Sequence, residues 1–386
     1  MEQKGEKQMN KTLYWVWLAL KTTPANRAIR ELLSEVPDPE LIYNMTEEQL
    51  MLFPYINKIS FRKLMDKDLD PAKIIVEKCM KNNYNIICYA DEEYPEALRN
   101  IPAFPLVLYH RGLKMALSDL LCISVVGTRK ASAYGLKCAY EFSRDLACNG
   151  VLVVSGMAEG IDGAAHDGAK SINKPTLAVL GTAIDRIYPV CNRYLYEYML
   201  YNGSIISEYP PGAITYPSSF PERNRIISGI SSGVLIAEAP EISGALITAD
   251  IALEQGRDIF AVPNIVDNEK GVGSNRLIQT GAKLVTSASD ILEEYRGQYA
   301  SINEIRRGQE PEKSDEALKV KFLDSFTDLT SMERKVAELC GTEPQTADGL
   351  ASGTDIPMNY ILSSLTMLEI KGVVKSVIGN KFMLNI

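Results

Sequence analysis

Histidine is nearly absent from this chain: His110 and His166 are the only two in 386 residues. A metal centre built on clustered imidazoles is therefore excluded, and no cofactor is expected. Cysteine occurs seven times (79, 88, 122, 138, 148, 191, 340), but with no CxxC and no paired spacing. That scatter reads as reduced thiols in a cytoplasmic protein rather than a disulfide framework. Long hydrophobic runs are lacking too. Leu13–Leu20 is apolar but too short to span a bilayer, and no small-residue cleavage site follows it. It reads as a core helix, and no membrane partner is expected. Positive charge is also in deficit, with 41 Lys and Arg against 49 Asp and Glu, net −8. A broad electropositive coat is thereby excluded, although a local basic groove is not, since the field in a cleft depends on nearby charges. Two signatures are missing as well: GxGxxG and GxxxxGK[ST]. A dinucleotide site and a P-loop are correspondingly unsupported.

What is present is a globular composition, 46% hydrophobic and 23% charged, in a chain long enough for two or three domains. Residues 1–100 read as a small helical domain, similar to helix-hairpin-helix or SAM units. Apolar periodicity marks Leu13–Leu20, Ala28–Leu33, Thr46–Leu52 and Ala72–Cys79, broken by Pro24, Pro37, Pro39, Pro54 and Pro71. From 101 to 296, short apolar strands alternate with helix-length segments. The strand candidates are Cys122–Val126, Val151–Val154, Thr176–Leu180, Ser204–Ser207, Gly233–Ala237, Asp258–Val262 and Ala282–Val285. Such alternation predicts an α/β fold with a doubly wound, mostly parallel sheet. A polar linker over 297–327 follows. Residues 328–386 then read as three helices (Met332–Cys340, Thr346–Ala351, Met358–Lys371) and a hairpin turning at Gly379-Asn380, a winged-helix-like module. Its five basic and seven acidic residues favour contact with protein over DNA reading.

Four expected strands end in glycine or small-residue turns: Gly127-Thr-Arg129, Ser155-Gly156, Gly181-Thr182 and Ser243-Gly244. Glycine lets a phosphate approach the backbone, and a following helix start offers free N–H groups. Ser243 is equally suited to be a plain N-cap. Arginines join this rim: Arg129 on the first turn, then Arg223 and Arg225 in the loop-like hexapeptide Phe220-Pro-Glu-Arg-Asn-Arg225, with Arg276 and Lys283 near the last strand. Yet Ser118 to Arg296 carries fifteen basic and twenty acidic residues. Basic residues concentrated in loops of an acidic domain suit a narrow groove for single-stranded nucleic acid. Phe220 is the stacking candidate, with Tyr188, Tyr209 and Tyr216 behind it. A hydrolase assembled from Ser155, Asp162 and His166 is the catalytic alternative.

The ordered motifs resemble the DNA-processing protein A (DprA/Smf) family. They are Val125–Gly135, Val154–His166, Tyr188–Arg193, Ser207–Gly212, Phe220–Arg225, Glu238–Gly244, Glu254–Arg257 and Gly281–Val285, and the likeness covers about residues 85–295. It implies an extended Rossmann-like core that binds single-stranded DNA without base specificity. It further implies a homodimer, protection of incoming strands in natural transformation and loading of a RecA-type recombinase, with no catalysis. Carried over by position, Gly127, Thr128 and Arg129 match the phosphate loop, Phe220 the aromatic, and Arg223, Asn224, Arg225 and Lys283 the remaining pocket. Departures are Glu159 where arginine is frequent, Thr182-Ala183 in place of a glycine-richer turn, and Asn264 after Pro263. The sheet-and-glycine pattern is also similar to nucleotide phosphoribohydrolases, whose PGGxGTxxE loop is only loosely matched by Ser243–Asp250, and to nucleotide sensors on the same kind of sheet.

Overall fold

The computed structural model describes residues 2–23, 26–299, 329–340, 345–351, 354, 356–377 and 381–384. The chain divides between Ile305 and Arg306 into two compact units. The first opens with six helices: α1 (Glu2–Leu20), α2 (Arg27–Glu35), α3 (Pro39–Asn44), α4 (Glu47–Leu50), α5 (Lys58–Met65) and α6 (Asp70–Lys81). Val16, Trp17 and Leu18 of α1 are fully buried, as expected of a core helix. Neither α3 nor α5 stands out in the sequence, because Pro39, read as a break, is the first residue of α3, and α5 begins soon after the break at Pro54. Asp38 and Asn57 cap them by accepting from Glu40 N and from Ile59 N and Ser60 N.

Nine strands follow: β1 (Asn85–Cys88), β2 (Val107–Gly112), β3 (Cys122–Gly127), β4 (Leu152–Ser155), β5 (Thr176–Leu180), β6 (Ser204–Ser207), β7 (Gly233–Glu238), β8 (Asp258–Ala261) and β9 (Lys283–Leu284). The connecting helices are α7 (Glu96–Arg99), α8 (Ala133–Cys148), α9 (Ile161–Ser171), α10 (Arg193–Asn202), α11 (Ser219–Ile230), α12 (Gly244–Glu254) and α13 (Val272–Gln279), with α14 (Ala288–Leu292) after the last strand. The strand order is β1-β2-β6-β5-β4-β3-β7-β8-β9. All seven expected strands are present, pairing in parallel. At one edge β1 and β2 add an antiparallel extension. The expected domain boundary at residue 100 therefore falls inside the sheet, between β1 and β2. The N-terminal helices share a core with Ala178, Leu180 and Ile205 of the parallel strands.

Side chains alternate across the sheet with a period of two. Ile123, Val125 and Val153 pack with Phe142 and Leu146 of α8 and Ile161 of α9 on one face. Cys122, Val126 and Val154 pack with Ile226 and Ile230 of α11 and Ala249 of α12 on the other. Strands covered on both faces need continuous apolar sequence, which is why they stand out as runs. The chain winds outward from β3 to β6 and returns through α11 to β7, beside β3. Strand order thus reverses between β3 and β7, the position at which doubly wound sheets form a crevice beyond their carboxyl ends.

The second unit contains helices over Ser331–Leu339, Ala347–Ala351 and Met358–Ile370 and a three-stranded sheet ordered β10 (Gln345–Thr346), β12 (Lys381–Leu384), β11 (Val374–Val377). This is the expected winged-helix arrangement around Val336, Leu350, Ile361, Leu365 and Leu384. Thr330 and Glu333 form a reciprocal capping box at its first helix, and Lys371 Nζ donates to Glu333 at 3.0 Å. The expected turn at Gly379-Asn380 and the linker from residue 300 lie outside the described residues.

Candidate nucleic-acid interface

A cleft of about 630 Å³ opens where the strand order reverses. Its walls are the turn Gly127–Lys130 after β3, the first turns of α9, α11 and α12, the Pro240–Gly244 turn after β7, and Lys270. The first turns of three helices line this space and bring the positive ends of three dipoles to it, an environment that favours an anion.

The hexapeptide Phe220–Arg225 is not the loop its composition suggests. It forms the first turns of α11. Proline at the third helical position sits in the first turn, where its missing N–H has no intrahelical partner to lose, and Glu222 complements the dipole. Helical geometry then separates the two arginines. Arg223 turns toward the cleft and Arg225 away from it.

Arg223 is only 4% exposed. Its Nη1 donates to Gly156 O at 2.7 Å and to Val179 O, so the guanidinium ties together the ends of β4 and β5. A Cβ on residue 156 would lie 2.5 Å from that guanidinium, which is why glycine stands there. Burial pulls the Arg223 pKa down to about 10, while the nearby Asp162 carboxylate opposes the shift. Asp162 is buried as well; burial raises its pKa, Arg223 lowers it, and its Oδ2 accepts from Gly156 N at 3.1 Å.

Arg129 is exposed, and its guanidinium sits 5.3 Å over the ring of Phe220. Tyr188 adds a second ring whose centroid is 5.5 Å from that of Phe220, tilted by 41°. Among the described residues no hydrogen bond or ion pair engages the Arg129 guanidinium. Gly181 backs the ring, since a Cβ there would come within 2.8 Å of Phe220 Cδ1. A half-buried ring flanked by a free cation and a second ring can take the face of a base on one side and a phosphate beside it.

The buried Glu238 at the end of β7 organises the rim. It accepts from Ser132 N at 2.7 Å, Ser132 Oγ at 2.6 Å and Asn264 Nδ2 at 3.2 Å. It thereby fixes both the start of α8 and the loop after β8 that carries Lys270. Asn264, read as a departure after Pro263, serves this carboxylate.

The structure gathers Gly127, Thr128, Arg129, Phe220, Arg223, Asn224, Ser243 and Gly244 around the cleft, with Gly156 behind Phe220. Ser243 also caps α12 by accepting from Ala245 N at 3.2 Å. Four expected residues do not line it. Ser155 is fully buried and donates to Val125 O at 2.6 Å. Arg225 pairs with Glu208 at 2.5 Å on the opposite side of α11, near the buried Arg30 of α2. Arg276 lies on the surface, 3.8 Å from Glu241. Lys283 donates to Asp290 O at 2.7 Å and pairs with Glu294. Glu159 stands beside Phe220 and Tyr188, within 3.5 Å of Cys191 Sγ. Lys130 and Lys270 were not singled out from sequence. Lys130 was legible as the neighbour of Arg129, whereas Lys270 arrives through a loop whose path depends on Glu238.

The Ser155–Asp162–His166 alternative has no relay. His166 is wholly buried, its Nδ1 bonds Thr176 Oγ1 at 2.8 Å, and burial lowers its pKa to about 3. Ser155 and Asp162 point to backbone partners. Among the described residues no cluster suited to a metal ion occurs, and no helix is long and apolar enough to cross a membrane.

Comparison with known proteins agrees with this geometry. Residues 85–296 match the family model of DNA recombination-mediator protein A, and residues 324–380 match that of the DprA winged helix domain. The Smf protein of Synechocystis is 33% identical over 82% of this chain and 83% of its own. The crystal structure of DNA processing protein A from Streptococcus pneumoniae superposes with a TM-score of 0.64 at 32% identity, covering 73% of this chain and 98% of that one. The Helicobacter pylori protein, whose structure was described for its single-stranded DNA binding mode, gives 0.51 at 28% identity over 56% and 97%. On these matches, over the sheet domain and the C-terminal module alike, this chain belongs to the DNA-processing protein A (DprA/Smf) family.

Proposed function

We propose that the cleft between β3 and β7 binds single-stranded DNA without regard to base sequence. The observation that carries this reading is the Arg129–Phe220–Tyr188 stack at the mouth of a cleft walled by three helix starts. The ring offers a stacking face that any base satisfies, and Arg129, Lys130 and Lys270 offer cations to the backbone. A duplex, with its bases already stacked on each other, has none to give Phe220. Gly127, Thr128, Asn224, Ser243 and Gly244 line the phosphate side, while Arg223 holds the site's floor. Arg225, Arg276, Lys283 and Ser155 act outside direct contact.

On this reading the protein is a cytoplasmic, homodimeric, non-catalytic mediator. It protects single strands that enter during natural transformation and passes them to a RecA-type recombinase. Family membership supports that role, as does the single-strand binding described for the Helicobacter pylori relative. Anisotropy titration of labelled oligo-dT against wild type and Phe220→Ala tests it, alongside chromatography for base release from nucleoside monophosphates. Strand binding lost in Phe220→Ala, with no base released, is the expected result. Base release without strand binding would replace this reading with a phosphoribohydrolase.

A further inference from the structure

A second groove of about 650 Å³ begins at Gly160, which packs behind the Thr128–Arg129 wall of the cleft. Gly160 has φ of 76°, and a Cβ on it would meet Thr128 O at 2.5 Å and Arg129 O at 2.7 Å. The backbone that carries Arg129 is therefore packed directly against the start of the groove. From Gly160 the groove follows α9 to Ser171, with Lys137 and Tyr140 of α8 on one side and Tyr194 of α10 on the other. Eleven residue steps of helix span about 16 Å, enough for several nucleotides at the ~3.4 Å spacing of a stacked strand.

This groove repeats the cleft's recognition element. Lys170 Nζ sits 5.2 Å over the ring of Tyr194, as the Arg129 guanidinium sits 5.3 Å over Phe220. The Tyr194 hydroxyl donates to Asp167, which fixes the ring, and the ring stays 44% exposed. The lysines are held only loosely: Lys170 lies 3.9 Å from Asp167 and Lys137 lies 3.8 Å from Glu141, both beyond hydrogen-bond reach. Such exposed pairs contribute little and exchange readily for a phosphate.

We propose that the α8–α9 groove is the second segment of the strand path: single-stranded DNA leaving the cleft over Arg129 continues along α9, with Lys137 and Lys170 on its phosphates and Tyr194 against a base. This rests on the cleft being the single-strand site. The test compares wild type with the triple variant Lys137→Gln, Lys170→Gln, Tyr194→Ala on a short oligo-dT of about six nucleotides, which fills the cleft alone, and on one of about twenty. The short strand should bind the two proteins alike. The long strand should bind the variant about tenfold or more weaker, with a salt slope shallower by roughly 1.4, at ~0.7 per phosphate. Lys137→Arg with Lys170→Arg should keep the wild-type slope. Unchanged affinity for the long strand would overturn the proposal, and so would equal losses on both strands. Failure of wild type to bind even the short strand would instead refute the cleft.

Discussion

Arg129 and Arg225 belong to the same expected set of phosphate contacts, but their surroundings assign them opposite roles. That difference is measurable. Arg129→Ala removes an exposed cation that rests on the Phe220 ring and, among the described residues, has no hydrogen-bond or ion-pair partner. Folding stability should hold within about 0.5 kcal/mol, as for a surface substitution. The dependence of log affinity for single-stranded DNA on log salt should become shallower by about 0.7, one phosphate's worth. Arg225→Ala does the reverse. The Arg225 side chain is 7% exposed and pairs with Glu208 at 2.5 Å, with Nε and Nη1 buried beside it. Removing it leaves Glu208 short of a cation in a buried site, a loss of about 3–5 kcal/mol for a fully buried pair. Arg30 faces the same carboxylate and should reduce that figure toward its lower end. The salt slope should stay at the wild-type value. Urea unfolding and oligo-dT titrations between low and moderate salt read both quantities on each variant. A shallower slope for Arg225→Ala, with stability intact, would refute the division of roles.

Other substitutions probe the supports of the site. Gly156→Ala should abolish strand binding, because its Cβ would stand 2.5 Å from the Arg223 guanidinium that joins β4 to β5; retained affinity in a titration would contradict the tie. Glu238→Ala removes the shared acceptor of Ser132 and Asn264. It should lower stability by about 1–3 kcal/mol, through donors left unpaired, and weaken strand binding, as read by urea unfolding and titration. His166 has its pKa lowered to about 3 by burial. Below the ordinary value near 6.5 the unfolded chain binds a proton that the folded chain refuses, so this residue's contribution to stability is full above that pH. It falls as the pH drops from there toward 3, by up to about 1.4 kcal/mol per pH unit. His166→Gln should flatten the stability–pH curve in that window.

Much of the fold was legible because buried parallel strands must be written as apolar runs. Val234 to Ala237 and Thr176 to Leu180 announced themselves in that way. Boundaries were harder where a cap overrode composition. Pro39 read as a break yet starts α3, and Asn57, three residues past the break at Pro54, caps α5. The cleft was legible in its small and charged residues, Gly127 and Arg129 above all, since turns at strand ends display their chemistry locally. Direction was not. Phe220–Arg225 read as a loop with two equivalent arginines; only the helical turn of α11 sends Arg223 inward and Arg225 toward Glu208. Lys283 likewise read as a free cation, because its partners Asp290 and Glu294 lie on the following turns of chain. Lys270 gave no signal because its place is set by hydrogen bonds to Glu238, more than thirty positions earlier.

The central claim is a cleft that takes any single strand by stacking on Phe220 and by cations on phosphate. The most direct measurement is the affinity of wild type and Arg129→Ala for labelled oligo-dT and a mixed-sequence strand of equal length, across a salt series. Equal affinity for both sequences is predicted, falling linearly with log salt and more gently for Arg129→Ala. Affinity that saturates with mononucleotide, ignores strand length and does not respond to salt would contradict the account.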